Sequence, residues 1–203
     1  MLTSEEILQF WFEDACESPA QAEARNAFWF SANAEFDAQI WTLYADVVTD
    51  ASLDHYENWA GSPLGRLALI IVLDQFPRNI FRGTSEAYRY DAQVLALARA
   101  GVEKGQLAGL AIPHQAFFLM PYQHSEDIQV QRSGVELMQG IVDEAPDEWR
   151  ACASAYSDYA HQHHDIVANY GRFPHRNAPL GRTSTEAESR YLSDGGQTFG
   201  QSG

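Results

Sequence analysis

The sequence predicts an all-α protein, and three features predict it. Apolar residues recur at intervals of three and four through most of the chain, and helix-capping residues stand ahead of several of these stretches. No window shows the alternation expected of a half-buried strand. The stretches amount to about eight to ten helices in one domain over residues 1–194. A Gly/Gln/Ser-rich tail, 195–203, is expected to be disordered.

The elements follow in order. Thr3 and Glu6 form a capping box ahead of Ile7, Leu8, Phe10 and Trp11, so the first helix starts there. From about Asn33 to Val48, Phe36, Ile40, Leu43 and Val47 make an amphipathic stripe. Gly61, Ser62 and Pro63 punctuate the chain, and a helix from Pro63 to Gln75 is expected to end at Phe76-Pro77, because the residue before proline is pushed out of helical space. Another runs from about Ser85 to Lys104 with Tyr90, Val94, Leu97 and Gly101 on one face. Pro113 starts or kinks a shorter helix through Met120, and Ser125 is the expected cap of the next, with Ile128, Val135, Met138 and Val142 inward. Pro146 opens the longest helix, which Gly171 closes. Thr183 and Glu186 read as the capping box of a last short helix.

Composition narrows the function. The 203 residues are 45% hydrophobic, with 5 Trp, 9 Tyr and 11 Phe, enough for a sizeable core. The N-terminus has no basic region, and the longest fully apolar run, Leu67 to Leu73, is too short for a membrane span, so no signal peptide and no membrane partner are expected. Cys16 and Cys152 show no CxxC spacing and read as reduced thiols of a cytoplasmic protein. A formal charge of -15 repels phosphate backbones and argues against nucleic acid. Of the 13 basic residues only Lys104 is a lysine, so nearly all the cations are planar forks suited to carboxylate, phosphate and partly buried pairs. Between His161 and Arg182 lie Arg172, Arg176, Arg182 and four histidines against one acid, Asp165, which places a locally positive segment on an acidic body.

An arginine-bearing turn is written twice. The first copy is Phe76-Pro77-Arg78-Asn79 followed by Arg82-Gly83-Thr84; the second is Phe173-Pro174-His175-Arg176-Asn177 followed by Gly181-Arg182-Thr183. Arg and Asn after a helix end can satisfy its last carbonyls, which makes each turn a clasp. The same residues lead into a helix start, where an anion is favoured, and Arg78, Arg82, Arg176 and Arg182 would hold one if they converged. Polar residues also interrupt apolar stripes. His163 falls within the stripe Trp149, Ala153, Tyr156, Ala160, Val167 and Tyr170, and Asp74 continues the stripe of Leu67, Ile70 and Ile71. A buried histidine is more often a core residue with one satisfied nitrogen, and a buried aspartate needs a cation, for which Arg78 or an arginine of the second turn is available. His124 and Glu126 stand at a helix start. His161 and His164 share a wet face apart from His163 and supply two ligands at most, so no metal site is expected.

Taken together, Phe10-Trp11-Phe12, Trp29-Phe30, Phe36-Asp37, the run Leu73 to Gly83, Met120-Pro121, His124 to Asp127, Gly171 to Asn177 and Leu180-Gly181-Arg182 resemble the bacterial family called domain of unknown function 924, over roughly residues 5–193. The resemblance implies a tetratricopeptide-like α/α superhelix, although the consensus of true tetratricopeptide repeats is not visible. The family's histidine ahead of the second turn falls on His163.

Three functional readings follow. The first is a pocket for a small anionic molecule, bound by Arg78, Asn79, Arg82, Arg172, His175, Arg176, Asn177 and Arg182, with no cofactor. The second is an enzyme using the same pocket for acid-base or hydrolytic chemistry on a small acidic metabolite, with His163, His124, Glu126 and Asp74 as catalytic candidates. No GxSxG, HExxH, P-loop or Rossmann glycine run occurs, so those chemistries lack their signatures. The third is a scaffold that clamps an acidic peptide, an expectation from fold analogy. Oligomeric state has no signature in the sequence.

Overall fold

The computed structural model describes residues 2–201, and among these there is no β-strand. The chain runs through α1 (Ser4–Phe12), α2 (Pro19–Phe30), α3 (Ala34–Ser52) and α4 (Pro63–Ile70), then α5 (Phe76–Ile80), α6 (Asp91–Glu103) and α7 (Ile112–Gln123), and finally α8 (Ile128–Glu144), α9 (Arg150–Tyr170) and α10 (Glu186–Ser193). One apolar cluster joins residues from Ile7 on α1 to Ala160 on α9. Its largest buried side chains include Trp11, Phe12, Phe76, Phe117 and Phe118. The indole N–H of Trp29 donates to the Trp11 carbonyl at 2.9 Å, so α2 is held to the end of α1 by a satisfied polar handle as well as by area.

Caps explain most helix starts, two of them two residues away from where the sequence places them. The Thr3–Glu6 box forms as expected. Asp127, not Ser125, accepts the Gln129 N–H at 2.8 Å and caps α8, while the Ser125 hydroxyl accepts from Asp127 N. The last capping box is Thr185–Glu188, because Glu188 is the acid drawn inward by Arg172. Residues Ser85–Tyr88 form a 3₁₀ turn, and α6 begins only at Asp91.

The largest departure is at Phe76-Pro77, where the helix does not end. A π turn over Ile71–Gln75 widens the helix, the Phe76 N–H reaches back to the Ile71 carbonyl, and Pro77 sits in the first turn of α5. Proline in the first turn loses no bond it needs, and the extra residue relieves its clash with the preceding carbonyls. Every residue from Ile71 to Asn79 is buried, so this irregular stretch lies in the interior. At the far end Gly171, at φ 72, closes α9 in the left-handed conformation that glycine takes without strain. Residues 195–201 run back along the molecule, with Phe199 packed on Ile166, Val167 and Phe173; Ser202 and Gly203 lie outside the described residues. Among the described residues no helix is long and apolar enough to cross a membrane.

Candidate functional site

The π turn and α5 aim Asp74 and Arg78 at the same point. Asp74 is fully buried, its Oδ1 lies 3.1 Å from Arg78 Nη1, and Arg78 also donates to the Asp74 carbonyl at 3.0 Å. The end of α7 contributes His124, whose Nδ1 is 2.8 Å from Asp74 Oδ1. Burial alone would raise the Asp74 pKa, but Arg78 and His124 overcome it and hold the carboxyl down at about 2. An ionised Asp74 only accepts, so His124 Nδ1 carries the proton and its Nε2 keeps the lone pair. Burial, followed by the nearby Arg78 charge, lowers the His124 pKa, which keeps the ring neutral.

From α9, His163 completes the group. Its Nδ1 lies 2.7 Å from the Tyr159 carbonyl, an acceptor, so that nitrogen also bears the proton and Nε2 is the free base. Its ring centroid is 5.9 Å from that of His124. Burial first, and then His124, depress its pKa well below that of a free imidazole. The bland and functional readings of His163 therefore meet in one residue: one nitrogen is satisfied in the helix and the other is left over.

A cavity of about 160 Å³ opens beside these residues. Arg78, Asn79, Arg82, His124, His163, Gln75, Gln123, Tyr156 and Tyr159 line it together with Met120, Phe30 and the tail residues Phe199, Gly200 and Gln201. The Tyr156 hydroxyl is buried beside the Cys152 thiol. Arg82 grips Asp37 of α3 through Nε at 2.7 Å and Nη2 at 2.8 Å, and Asn79 donates to the same carboxylate at 2.9 Å. The carboxylates that pair with Arg78 and Arg82, namely Asp37, Asp74 and Asp91, are absent from the lining.

The two arginine turns do converge, but on an acid of the protein. Asp91, at the start of α6, takes Arg78 Nη2 on one oxygen at 2.8 Å and Arg176 Nη1 on the other at 3.1 Å. Arg176 is also stacked over Tyr88 and Phe173, each with a ring centroid 4.5 Å away. Glu126 receives both terminal nitrogens of Arg182, at 2.6 and 2.9 Å, and the Phe173 N–H at 2.9 Å. Asn177 joins Ser184 to Arg182, and Arg172 forks onto Glu188 at 2.6 and 2.9 Å. His175 is buried, with Nδ1 unpartnered, and burial followed by the Arg176 charge pushes its pKa down to about 3. Arg172, His175, Arg176, Asn177, Arg182 and Glu126 are thus outside the cavity lining, contrary to the expectation that both turns surround one pocket. The second copy is a clasp; the first copy borders the cavity.

His161 and His164 stay on the wet face, where His161 Nδ1 bonds the Ser157 carbonyl at 2.9 Å and His164 the Asp165 carboxylate at 3.1 Å. Among the described residues no group of three or more His, Cys, Asp or Glu side chains is placed to hold a metal. Sequence reasoning missed Asp37 and Asp91. Both are first-turn acids of helices, which ordinarily need no explanation beyond the dipole; only the surplus of arginine over lysine hinted that specific acids must be paired.

The described residues place the chain among all-helical proteins. The chain belongs to the family described as bacterial protein of unknown function (DUF924), whose model matches residues 7–196. A solved structure, described as a protein of unknown function, ATU0120, from Agrobacterium tumefaciens, is similar to it at 31% identity, with 95% of this chain and 97% of that chain covered and a TM-score of 0.79. No curated protein matches the chain significantly.

Proposed function

We propose that the cavity beside Asp74, His124 and His163 binds a small anionic molecule, with the anion held by Arg82 and Arg78. One observation carries this reading. After two of its nitrogens are committed to Asp37, Arg82 Nη1 reaches a backbone carbonyl of the tail, that of Gly200, in place of a helix carboxylate. A cationic N–H that faces a cavity and meets only a neutral acceptor gains most from a carboxylate or phosphate oxygen. Met120 and Phe30 give the apolar wall common to small-molecule sites. The second-turn residues act at one remove, since Arg176 shares Asp91 with Arg78.

A thermal-shift screen of wild type and Arg82→Gln against inorganic phosphate and small carboxylates tests this. Ligand at a hundredfold over its Kd is expected to stabilise wild type by about 2.7 kcal/mol, a shift of several degrees. The gain should vanish in Arg82→Gln. An equal response in that variant rejects the assignment.

The Asp74–His124 contact favours a second reading, an enzyme in which the His124 Nε2 lone pair takes a proton from the bound molecule, Asp74 orients and stabilises the imidazolium, and Arg82 steadies developing negative charge. Asp74→Asn and His124→Gln would then abolish turnover of a ligand found by the screen while leaving its binding within a few-fold. Retained turnover in His124→Gln removes the base. The tetratricopeptide-like architecture belongs with these proposals: α6, α7, α8 and α9 each pack on the next, as stacked helix pairs of a superhelix do.

A further inference from the structure

Residues Phe199, Gly200 and Gln201 of the chain itself line the cavity. Phe199 lies flat on His163, with ring centroids 3.7 Å apart and planes 14° from parallel, and meets Phe173 and His175 edge-on. Gly200 offers its carbonyl to Arg82, and the buried Gln201 donates through Nε2 to the Arg78 carbonyl at 3.0 Å. Three consecutive residues thus contact three residues that line the cavity.

Their fit is imperfect in two ways that favour release. Phe199 adopts φ 52, the left-handed region that a residue with a Cβ enters at a cost, and it is followed by Gly200 at φ 73. Gln201 Oε1 is buried with no partner. The preceding segment is held by the Gly196 N–H on the Tyr191 carbonyl at 2.9 Å and by the Tyr191 hydroxyl on the Gln197 carbonyl at 3.3 Å. With the tail in place the cavity measures about 160 Å³, below the roughly 300–1,000 Å³ usual for ligand pockets.

We propose that residues 197–201 are a displaceable occupant of the cavity, so that its ligand is a molecule presenting the same two groups as the tail, a flat ring for His163 and an acceptor oxygen for Arg82, and binds by expelling the tail. An aromatic carboxylate has this chemistry: its ring replaces Phe199 and its charged oxygen replaces the Gly200 carbonyl, a stronger acceptor at the same seat. The competition rests on the binding reading above, whereas coverage of His163 by the tail does not.

Two measurements on the full chain separate them. In the first, diethyl pyrocarbonate labels His163 at its free Nε2, read by mass spectrometry in wild type, Phe199→Ala, Gln201→Ala and Phe199→Tyr. Labelling is expected to rise at least tenfold in Phe199→Ala and less in Gln201→Ala, to stay near wild type in Phe199→Tyr, and to be suppressed again in Phe199→Ala by a synthetic peptide of residues 195–203. Equal labelling of His163 in all four proteins overturns the proposal, as does failure of the peptide to protect. In the second, phenylacetate is titrated by calorimetry, and Phe199→Ala should bind it at least tenfold more tightly than wild type. Equal affinity in the two refutes competition while leaving anion binding intact. No binding to either, with the labelling pattern as expected, leaves the tail as cover and rejects the ligand and its competition.

Discussion

Asp74 sets the electrostatics at the residue scale. It is fully buried, yet Arg78 and His124 on one oxygen and Gln75 on the other keep it charged. Because its folded pKa is depressed to about 2, the unfolded chain binds its proton first; the stabilisation is present above the ordinary carboxylate range and is lost as pH falls from about 4 through about 2. Asp74→Asn leaves Arg78 short of a buried counter-charge and is expected to cost about 3–5 kcal/mol in urea denaturation at pH 7. His163 acts in another window. It is neutral when folded, beside His124, Arg176 and His175, so protonation is taken up by the unfolded chain and stability falls as pH drops below about 6.5. Denaturation midpoints between pH 7 and 5 should therefore fall less steeply in His163→Gln than in wild type; an unchanged slope would show that His163 is not held neutral.

Geometry at the element scale depends on close approach as much as on propensity. On α6, a Cβ built at Gly101 would come within 2.4 Å of the Phe118 ring and 2.5 Å of the Arg66 side chain. The buried Arg66 head donates to the Ala60 and Leu97 carbonyls, at 2.8 and 3.0 Å, and to Gln106, so it has little freedom to move away. Gly101→Ala should therefore destabilise by about 1–3 kcal/mol despite alanine's better helix propensity, measured by chemical denaturation. The capping box of α10 offers a milder test, since Thr185→Ala is expected to cost about 1 kcal/mol. Thr183→Ala, at the position where the sequence suggested the box, should be nearly neutral.

The whole molecule is tied across its length by shared acids. Asp91 on α6 joins Arg78, just past α4, to Arg176, beyond α9, and Glu126 at the start of α8 joins Arg182 to the Phe173 backbone. A double-mutant cycle between Arg78→Met and Arg176→Met should give a coupling energy of about 0.5–3 kcal/mol, because both lean on one carboxylate. Additive effects would mean that the turns are independent. Asp91→Asn alone should lower Tm more than Asp127→Asn, where the acid only caps a helix.

Helical class, the Thr3–Glu6 capping box, the Gly171 stop and the buried stripe of α9 were legible in the chain because they depend on neighbours three or four residues apart. The same local logic marked Asp74 and His163 as polar residues on apolar faces, and it supplied Arg78 as a partner four residues on. It misplaced the end of α4, because a π turn lets Pro77 follow without a break, and that choice is made by the packing around Ile71 to Asn79. It also gave no account of the pairing of Asp37 with Arg82 and of Asp91 with Arg176, 45 and 85 residues apart. Nor did composition foresee the docked tail, since a Gly/Gln/Ser-rich segment with one Phe has no apolar face of its own and gains order only from a groove built elsewhere. The sequence by itself determined the helical class and marked Asp74 and His163 as polar residues on apolar faces. Tertiary structure alone decided which charges share a partner and which turn borders the cavity, because those depend on distances between segments that local periodicity does not encode.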